Sequence, residues 1–322
     1  MLLASLAVIA GLIILVWSAD KFVDGASQTA HYFGMPKLLI GMLIIGFGTS
    51  APEIVVSITS AIQGNPGIAL GNAYGSNIAN IALILGVTAL ISPVLVTPSI
   101  LKKELPLLLI VTLVSAGLLF DRDISRIDGI IILAMFALFM FVSIRDGLKV
   151  KNALSNQLSE DDQRDDIVIG KAIGLLLFGL ILLIASSQLL VWGAVTIANH
   201  FGVSELIIGL TVVAVGTSLP ELASSIAAAR KNQHDLAMGN IIGSNLFNTL
   251  AVVGLAGAIH PLQAENDIIT RDMPVMLFLT ALLFLLGYRY KAENGYIQRW
   301  AGVLLLLCYI AYNSVIFIQI AR

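Results

Sequence analysis

Two carboxylates, Glu53 and Glu221, stand in the middle of long apolar runs. A charged side chain at that depth costs on the order of 3 kcal/mol on insertion scales and usually marks an ion pathway. Each follows a proline, Pro52 or Pro220, and a glycine, Gly48 or Gly216, stands four residues before each proline. Proline lacks an N–H and clashes with the carbonyl four residues back, while glycine lets the local backbone deform. The combination is expected to break the helix and free main-chain carbonyls beside a carboxylate. Thr49, Ser50, Thr217 and Ser218 add hydroxyls to the same turns. Irregular backbone at this depth is tolerated only where it is buried or lines a wet cavity. GTSAPE at 48–53 and GTSLPE at 216–221 therefore read as compact sources of oxygen ligands. No Lys or Arg lies mid-span to neutralise the two acids, so bound cations or protons are the expected compensation.

A second motif adds to the first. GNAYGSNIAN at 71–80 and GNIIGSNLFN at 239–248 place Asn72, Ser76 and Asn80, and again Asn240, Ser244 and Asn248, at spacings of four along one helix face. Gly71 with Gly75, and Gly239 with Gly243, form pairs that permit close helix approach. Asn72, Asn240, Asn77 and Asn245 suit interhelical hydrogen bonding and ion ligation equally. Ser76, Ser244, Asn80 and Asn248 favour lining an ion site. All these donors are oxygen, the preference of hard cations such as Ca2+, which take six to eight oxygens. The four histidines lie near span ends and the lone Cys308 is remote, which disfavours soft transition metals.

The elements that must position these residues are membrane spans. Of 322 residues 58% are hydrophobic and 12% charged, half the charge of a usual soluble domain. A net charge of −2 gives no support to nucleic-acid binding, and one cysteine excludes an intramolecular disulfide. Apolar runs predict ten spans, at 2–19, 37–61, 67–92, 104–120, 127–144, 169–195, 204–229, 235–260, 272–289 and 299–319. The opening run has no positive charge ahead of it and is expected to be a retained first helix rather than a cleaved signal. Fourteen of the 18 Lys and Arg residues fall on one side of this plan. The positive-inside rule then places both termini outside and the central linker in the cytoplasm. That linker holds an acidic SEDDQRDD run, read as a solvated loop.

Both motif pairs share one offset of 168 residues. The same register matches Gly25, Ser57, Gly86 and Pro106 to Gly193, Ser225, Gly254 and Pro274. The chain thus divides into a first five-helix repeat at 1–145 (its α-repeat about 41–86), a linker at 146–168, and a second repeat at 169–322 (its α-repeat about 209–254). An odd number of spans per repeat means that the second enters the membrane from the opposite side. The expected fold class is an all-α integral membrane protein of ten transmembrane helices in two inverted five-helix repeats, with broken helices at the midplane. Such plans belong to secondary transporters.

At these motifs the sequence resembles the cation/calcium exchanger superfamily, which includes the sodium/calcium exchangers. The resemblance covers essentially the whole chain and is nearest to short prokaryotic members without a large regulatory domain. It implies an ion cluster between spans 2, 3, 7 and 8, with spans 1 and 6 sliding past that core. Carried over by position, Glu53 and Glu221 would be the main ligands shared by Ca2+ and Na+. Thr49 and Thr217 would offer main-chain and hydroxyl oxygens, and Gly46 and Ala214 main-chain carbonyls. Ser76 and Ser244 would complete outer Na+ sites, with Asn80 and Asn248 facing the centre. Asn248 departs from relatives that carry Asp there, which argues against K+ co-transport and leaves H+ coupling open. The implied activity is exchange of Ca2+ for Na+ across the plasma (inner) membrane by alternating access, with no cofactor and no protein partner. An H+-coupled antiporter of the same fold is the near alternative; a cation channel and an intramembrane hydrolase are weaker ones.

Overall fold

The structure, a computed structural model, describes residues 1–155, 168–202, 214–288 and 295–320. It is built of helices: α1 (Leu2–Phe33), α2 (Lys37–Thr49), α3 (Ala51–Ile62), α4 (Pro66–Ile91), α5 (Leu105–Leu118, entered through a π-helical turn at Ile100–Glu104), α6 (Arg126–Ser155), α7 (Ile169–His200), α8 (Ala214–Thr217), α9 (Leu219–Arg230), α10 (His234–Ile259), α11 (Ile268–Gly287) and α12 (Arg299–Ile320). Among the described residues seven helices are long and apolar enough to cross a membrane, or eight if α2 and α3 form one broken span. Most of the predicted linker, including the SEDDQRDD run, and the start of the predicted seventh span at 204–229 lie outside the described residues.

Several helices outrun their predicted spans. α1 continues past Asp20, Lys21 and Asp24 to Phe33, where Gly34 in a left-handed conformation (φ 62°, ψ 30°) donates its N–H to the Ala30 and His31 carbonyls. Glycine takes that conformation without a Cβ penalty. The polar residues do not end the helix because Lys231 meets them: its Nζ lies 2.8 Å from Asp24 Oδ1 and 3.2 Å from Asp20 Oδ1. α6 starts where Ser125 and Asp128 cap each other reciprocally, Ser125 N–H to Asp128 Oδ2 at 2.9 Å and Asp128 N–H to Ser125 Oγ at 3.2 Å.

The 168-residue register survives in the elements. α3 and α9 share it at both ends, as do α4 and α10. So do the π-helical turns Asn80–Ile84 and Asn248–Val252, and likewise Ile100–Glu104 and Ile268–Asp272. Two short antiparallel ladders, which the sequence does not announce, close connections: β1 (Val94–Val96) pairs β4 (Gly295–Ile297), and β2 (Asp123–Ile124) pairs β3 (Leu262–Gln263).

The chain packs as two compact units, and neither is one sequence repeat. Met1–Thr49 with Leu138–Asn240 form the first, Ser50–Ala137 with Ile241–Arg322 the second. In the first unit α1 lies along α7 around a core of Leu15, Phe22, Val23, Leu176 and Leu183. Close approach is set by glycines: a Cβ on Gly25 would fall 2.4 Å from the Leu176 nitrogen, and one on Gly179 2.6 Å from the Phe22 nitrogen. The opposite face of α1 leaves Leu6, Ile9, Ile13 and Val16 exposed, a stripe suited to hydrocarbon. In the second unit α12 packs on α4, where a Cβ on Gly302 would meet the Gly86 carbonyl at 2.7 Å.

Candidate functional site

Both carboxylates enter their units through the same local device. α2 stops at Thr49 and α3 starts at Ala51, with Ser50 between them in a non-helical conformation (φ −81°, ψ 5°). Ser218 precedes α9 likewise (φ −90°, ψ 5°). The break expected between each glycine and proline falls at Ser50 and Ser218, two residues before the proline. Pro52 and Pro220 fall in the first turn of the following helix, where the missing N–H would be unpaired anyway. Glu53 and Glu221 occupy that first turn too. Helix N-termini carry roughly half a positive charge, so each acid gains electrostatic compensation that needs no Lys or Arg.

In the second unit Glu53 is 1% exposed, and its Oε2 meets no hydrogen-bond donor among the described residues. Its helix α3 packs against α4 and against the π-helical turn Asn248–Val252. Those contacts bring Ser50, Glu53, Ser76, Asn80, Ser244 and Asn248 into one unit, all buried. Asn80 donates through Nδ2 to Asn245 Oδ1 at 3.0 Å. The Asn80 Oδ1 and Asn248 Oδ1 atoms are buried without a hydrogen bond among the described residues. Both asparagines open a π-helical turn, a distortion frequent at functional sites. Asn77 adds a second tie between α4 and α10, donating to Thr249 Oγ1 at 2.8 Å.

The first unit holds Gly46, Thr49, Ala214, Thr217, Ser218 and Glu221. Glu221 is 2% exposed. Gly46 ends the π-helical turn Gly41–Gly46 and Thr49 follows it in α2, its Oγ1 within reach of the Ile45 carbonyl (3.0 Å) and Asn240 Oδ1 (3.1 Å). Ala214 and Thr217 bound α8. Ser187 on α7 donates to the Gly216 carbonyl at 2.9 Å, a contact that the sequence hides because Ser187 sits in an unremarkable apolar stretch and pairs with Ala19 in the repeat register. Gly239 makes the expected close helix approach, 2.9 Å from a Cβ on it to Gly41 Cα. Gly71 and Gly75 do not: a Cβ on either would meet nothing within 4 Å among the described residues.

Two further acids are buried among the described residues, each at the entrance of a helix. Glu104 and Asp272, 4% and 6% exposed, share the repeat register and end equivalent π-helical turns. Asp272 receives Arg271 at 2.7 and 3.1 Å and the Tyr312 hydroxyl at 3.0 Å. The matching basic–acidic pairs, Lys103-Glu104 and Arg271-Asp272, were the signal available. No group of three or more His, Cys, Asp or Glu side chains suited to a metal occurs among the described residues.

Residues 3–145 and 171–318 match the family described as sodium/calcium exchanger protein. The inner membrane protein YrbG of Escherichia coli (strain K12) is 38% identical, over 98% of this chain and 98% of its own. The sodium/calcium exchanger MaX1 of Methanosarcina acetivorans is 31% identical, over 95% and 96% of the two chains. Among solved structures, the sodium-calcium exchanger NCX_Mj soaked with 2.5 mM Na+ and 1 mM Sr2+ aligns with a TM-score of 0.84 at 32% identity, covering 98% of each chain. With helices of spanning length, buried acids in a duplicated motif and matches along almost its full length, the chain is a multi-pass membrane protein that belongs to the sodium/calcium exchanger family.

Proposed function

We propose that the protein is a secondary active antiporter that moves Ca2+ against a flux of Na+ across the inner membrane by alternating access. The carrying observation is Glu53: a buried carboxylate at a helix N-terminus, with one oxygen unpaired among the described residues, on a helix packed against the Asn248 turn. Glu221 repeats its placement in the other motif copy. In this reading Glu53 and Glu221 are the principal cation ligands. Thr49, Thr217, Ser50, Ser218, Ser76, Ser244, Asn80 and Asn248, with main-chain oxygens of Gly46 and Ala214, supply the neutral ligands. Two carboxylates balance one divalent ion or hold several Na+ in its place, and mutually exclusive occupancy is what exchange requires. The similarity to proteins named sodium/calcium exchanger supports the ion pair.

The same reading takes the two five-helix halves, 1–145 and 169–322, as inverted repeats in a ten-span plan, with both termini outside and the linker cytoplasmic. The test uses purified protein in liposomes loaded with Na+ and diluted into Na+-free buffer, following radiolabelled Ca2+ uptake. Uptake that needs internal Na+ and is lost in Glu53→Gln and in Glu221→Gln supports the proposal. Uptake driven by a proton gradient, and indifferent to Na+, would replace the counter-ion with H+. No uptake under either gradient, from protein shown to be folded, would overturn the substrate assignment.

A further inference from the structure

The amides of Asn72 and Asn240 do the same thing in the two units. Asn72 Nδ2 donates to the Glu53 main-chain carbonyl at 3.1 Å and to Ser57 Oγ at 2.9 Å. Asn240 Nδ2 donates to the Glu221 carbonyl at 3.2 Å and to Ser225 Oγ at 2.8 Å, with Ser224 Oγ at 3.0 Å. Asn72 and Asn240, Glu53 and Glu221, and Ser57 and Ser225 are repeat mates, so one arrangement has been built twice from different residues. In each case the acceptor is the carbonyl of the very residue that carries the buried carboxylate.

Inside a helix that carbonyl already accepts the N–H four residues on, and the asparagine engages its second lone pair. This has two consequences. The Glu carbonyl is removed from the pool of oxygens able to ligate a cation. The Glu Cα, from which the carboxylate departs, is tethered to the neighbouring helix, α4 for Glu53 and α10 for Glu221. The amide nitrogen's lone pair is delocalised into its own carbonyl, so it does not itself ligate a cation. Asn240 Oδ1 lies 3.1 Å from the Thr49 hydroxyl, so in the first unit one side chain ties a candidate ligand hydroxyl to the Glu221 main chain. Ser57 extends the tie in the second unit by donating to the Ala69 carbonyl at 3.2 Å, on the first turn of α4.

We infer that Asn72 and Asn240 are positioning residues for transport: each holds its glutamate main chain at a fixed distance from the companion helix, and so sets the size of cation that the carboxylate serves. This rests on the exchange reading above. A carboxylate on a loosened mount adapts to larger ions, so the signature of the clamp is selectivity as well as affinity.

The test compares wild type with Asn72→Ala, Asn72→Asp, Asn240→Ala and Asn240→Asp in Na+-loaded proteoliposomes, measuring concentration for half-maximal uptake and the Ca2+ to Ba2+ preference. Loss of at least two neutral hydrogen bonds is expected to raise half-saturation for Ca2+ by about tenfold or more and to lower the preference for Ca2+ over Ba2+ by several-fold. Asp keeps the size and Oδ1 but puts an acceptor in place of the donor, so it must lose the preference for Ca2+ over Ba2+ as Ala does, whatever its added charge does to half-saturation. Asp variants with wild-type preference would overturn the inference, as would Ala variants with lower maximal rate alone. Ser57→Ala and Ser225→Ala remove the second acceptor, the former also the bond to the Ala69 carbonyl, and should move both readouts the same way by about two- to threefold; they decide the matter where an Asn variant fails to fold. Absence of Na+-driven uptake by wild type would instead sink the exchange reading, and the ratio of variant to wild-type Ca2+ binding, read from thermal stabilisation by Ca2+, would still judge the clamp.

Discussion

Gly25→Ala should destabilise the protein where Gly174→Ala does not. A Cβ on Gly25 would lie 2.4 Å from the Leu176 nitrogen, 2.7 Å from its Cα and 2.9 Å from the Ala172 carbonyl oxygen. All three are backbone atoms of α7, so no side-chain rotation relieves the contact. Comfortable carbon contacts lie near 3.5–4.0 Å, so α1 and α7 must part by about 1 Å at this crossing. A gap of that size forfeits a quarter to a half of the dispersion energy of each neighbouring contact, and forced insertion into packed cores costs about 1–3 kcal/mol. Three backbone clashes put Gly25→Ala at the upper end. On α7 itself, a Cβ on Gly174 meets nothing within 4 Å among the described residues. There alanine gains up to about 1 kcal/mol of helix propensity. The two variants should therefore differ by about 3 kcal/mol although both are Gly→Ala in a long helix. Thermal denaturation in one detergent, with protein concentration matched, reads the difference. Equal midpoints, or a Gly25→Ala midpoint at or above that of Gly174→Ala, would refute the close-approach account.

Other perturbations separate buried from exposed charge. Asp272→Asn removes the more buried of the two carboxylates paired with Arg271, leaving only the half-exposed Asp267, and should cost about 2 kcal/mol. Lys231→Met removes ion pairs to Asp20 and Asp24, whose side chains are 51% and 39% exposed, and should cost less than about 1 kcal/mol. Melting both variants at low and high salt checks the order, and a larger loss for Lys231→Met would reverse the argument. Asn248→Asp adds a carboxylate to the turn packed against the Glu53 helix. Added negative charge tightens divalent binding, so half-saturation for Ca2+ should fall several-fold while maximal uptake drops as release slows. Unchanged half-saturation would remove Asn248 from the ligand set.

The repeat was legible because two polar motifs keep one register, and α3, α4, α9 and α10 appear where that register requires. Helix ends were less legible for a physical reason. Asp20 and Asp24 look like the end of a span, yet the residue that pairs with them, Lys231, is more than 200 positions away. The four-residue spacing of Asn72, Ser76 and Asn80 fixes a helix face but not a partner. Asn72 proves to bind a main-chain carbonyl and Asn80 another asparagine. The π-helical turns have no composition of their own: Asn80–Ile84 and Ile100–Glu104 share no residue pattern. They arise from hydrogen bonding one residue out of helical step, which packing decides.

The order of residues in GTSxPE then has a physical logic that neither proline nor glutamate shows alone. Serine leaves helical geometry, proline starts the new helix at no cost in hydrogen bonds, and glutamate falls in its first turn. A buried carboxylate needs compensation, and a lysine or arginine would supply it by occupying the oxygens that a cation must reach. The helix N-terminus supplies roughly half a positive charge through the backbone, with no side-chain cation set on the carboxylate. In the proposed exchange, an ionised glutamate here would attract a cation, and the same positive helix end would keep the attraction below that of a bare carboxylate. A transporter needs both halves of this balance, since an ion held by the full field of a desolvated acid would enter and not leave. Moving Pro and Glu one turn deeper into α3 would keep the residue types and lose the compensation.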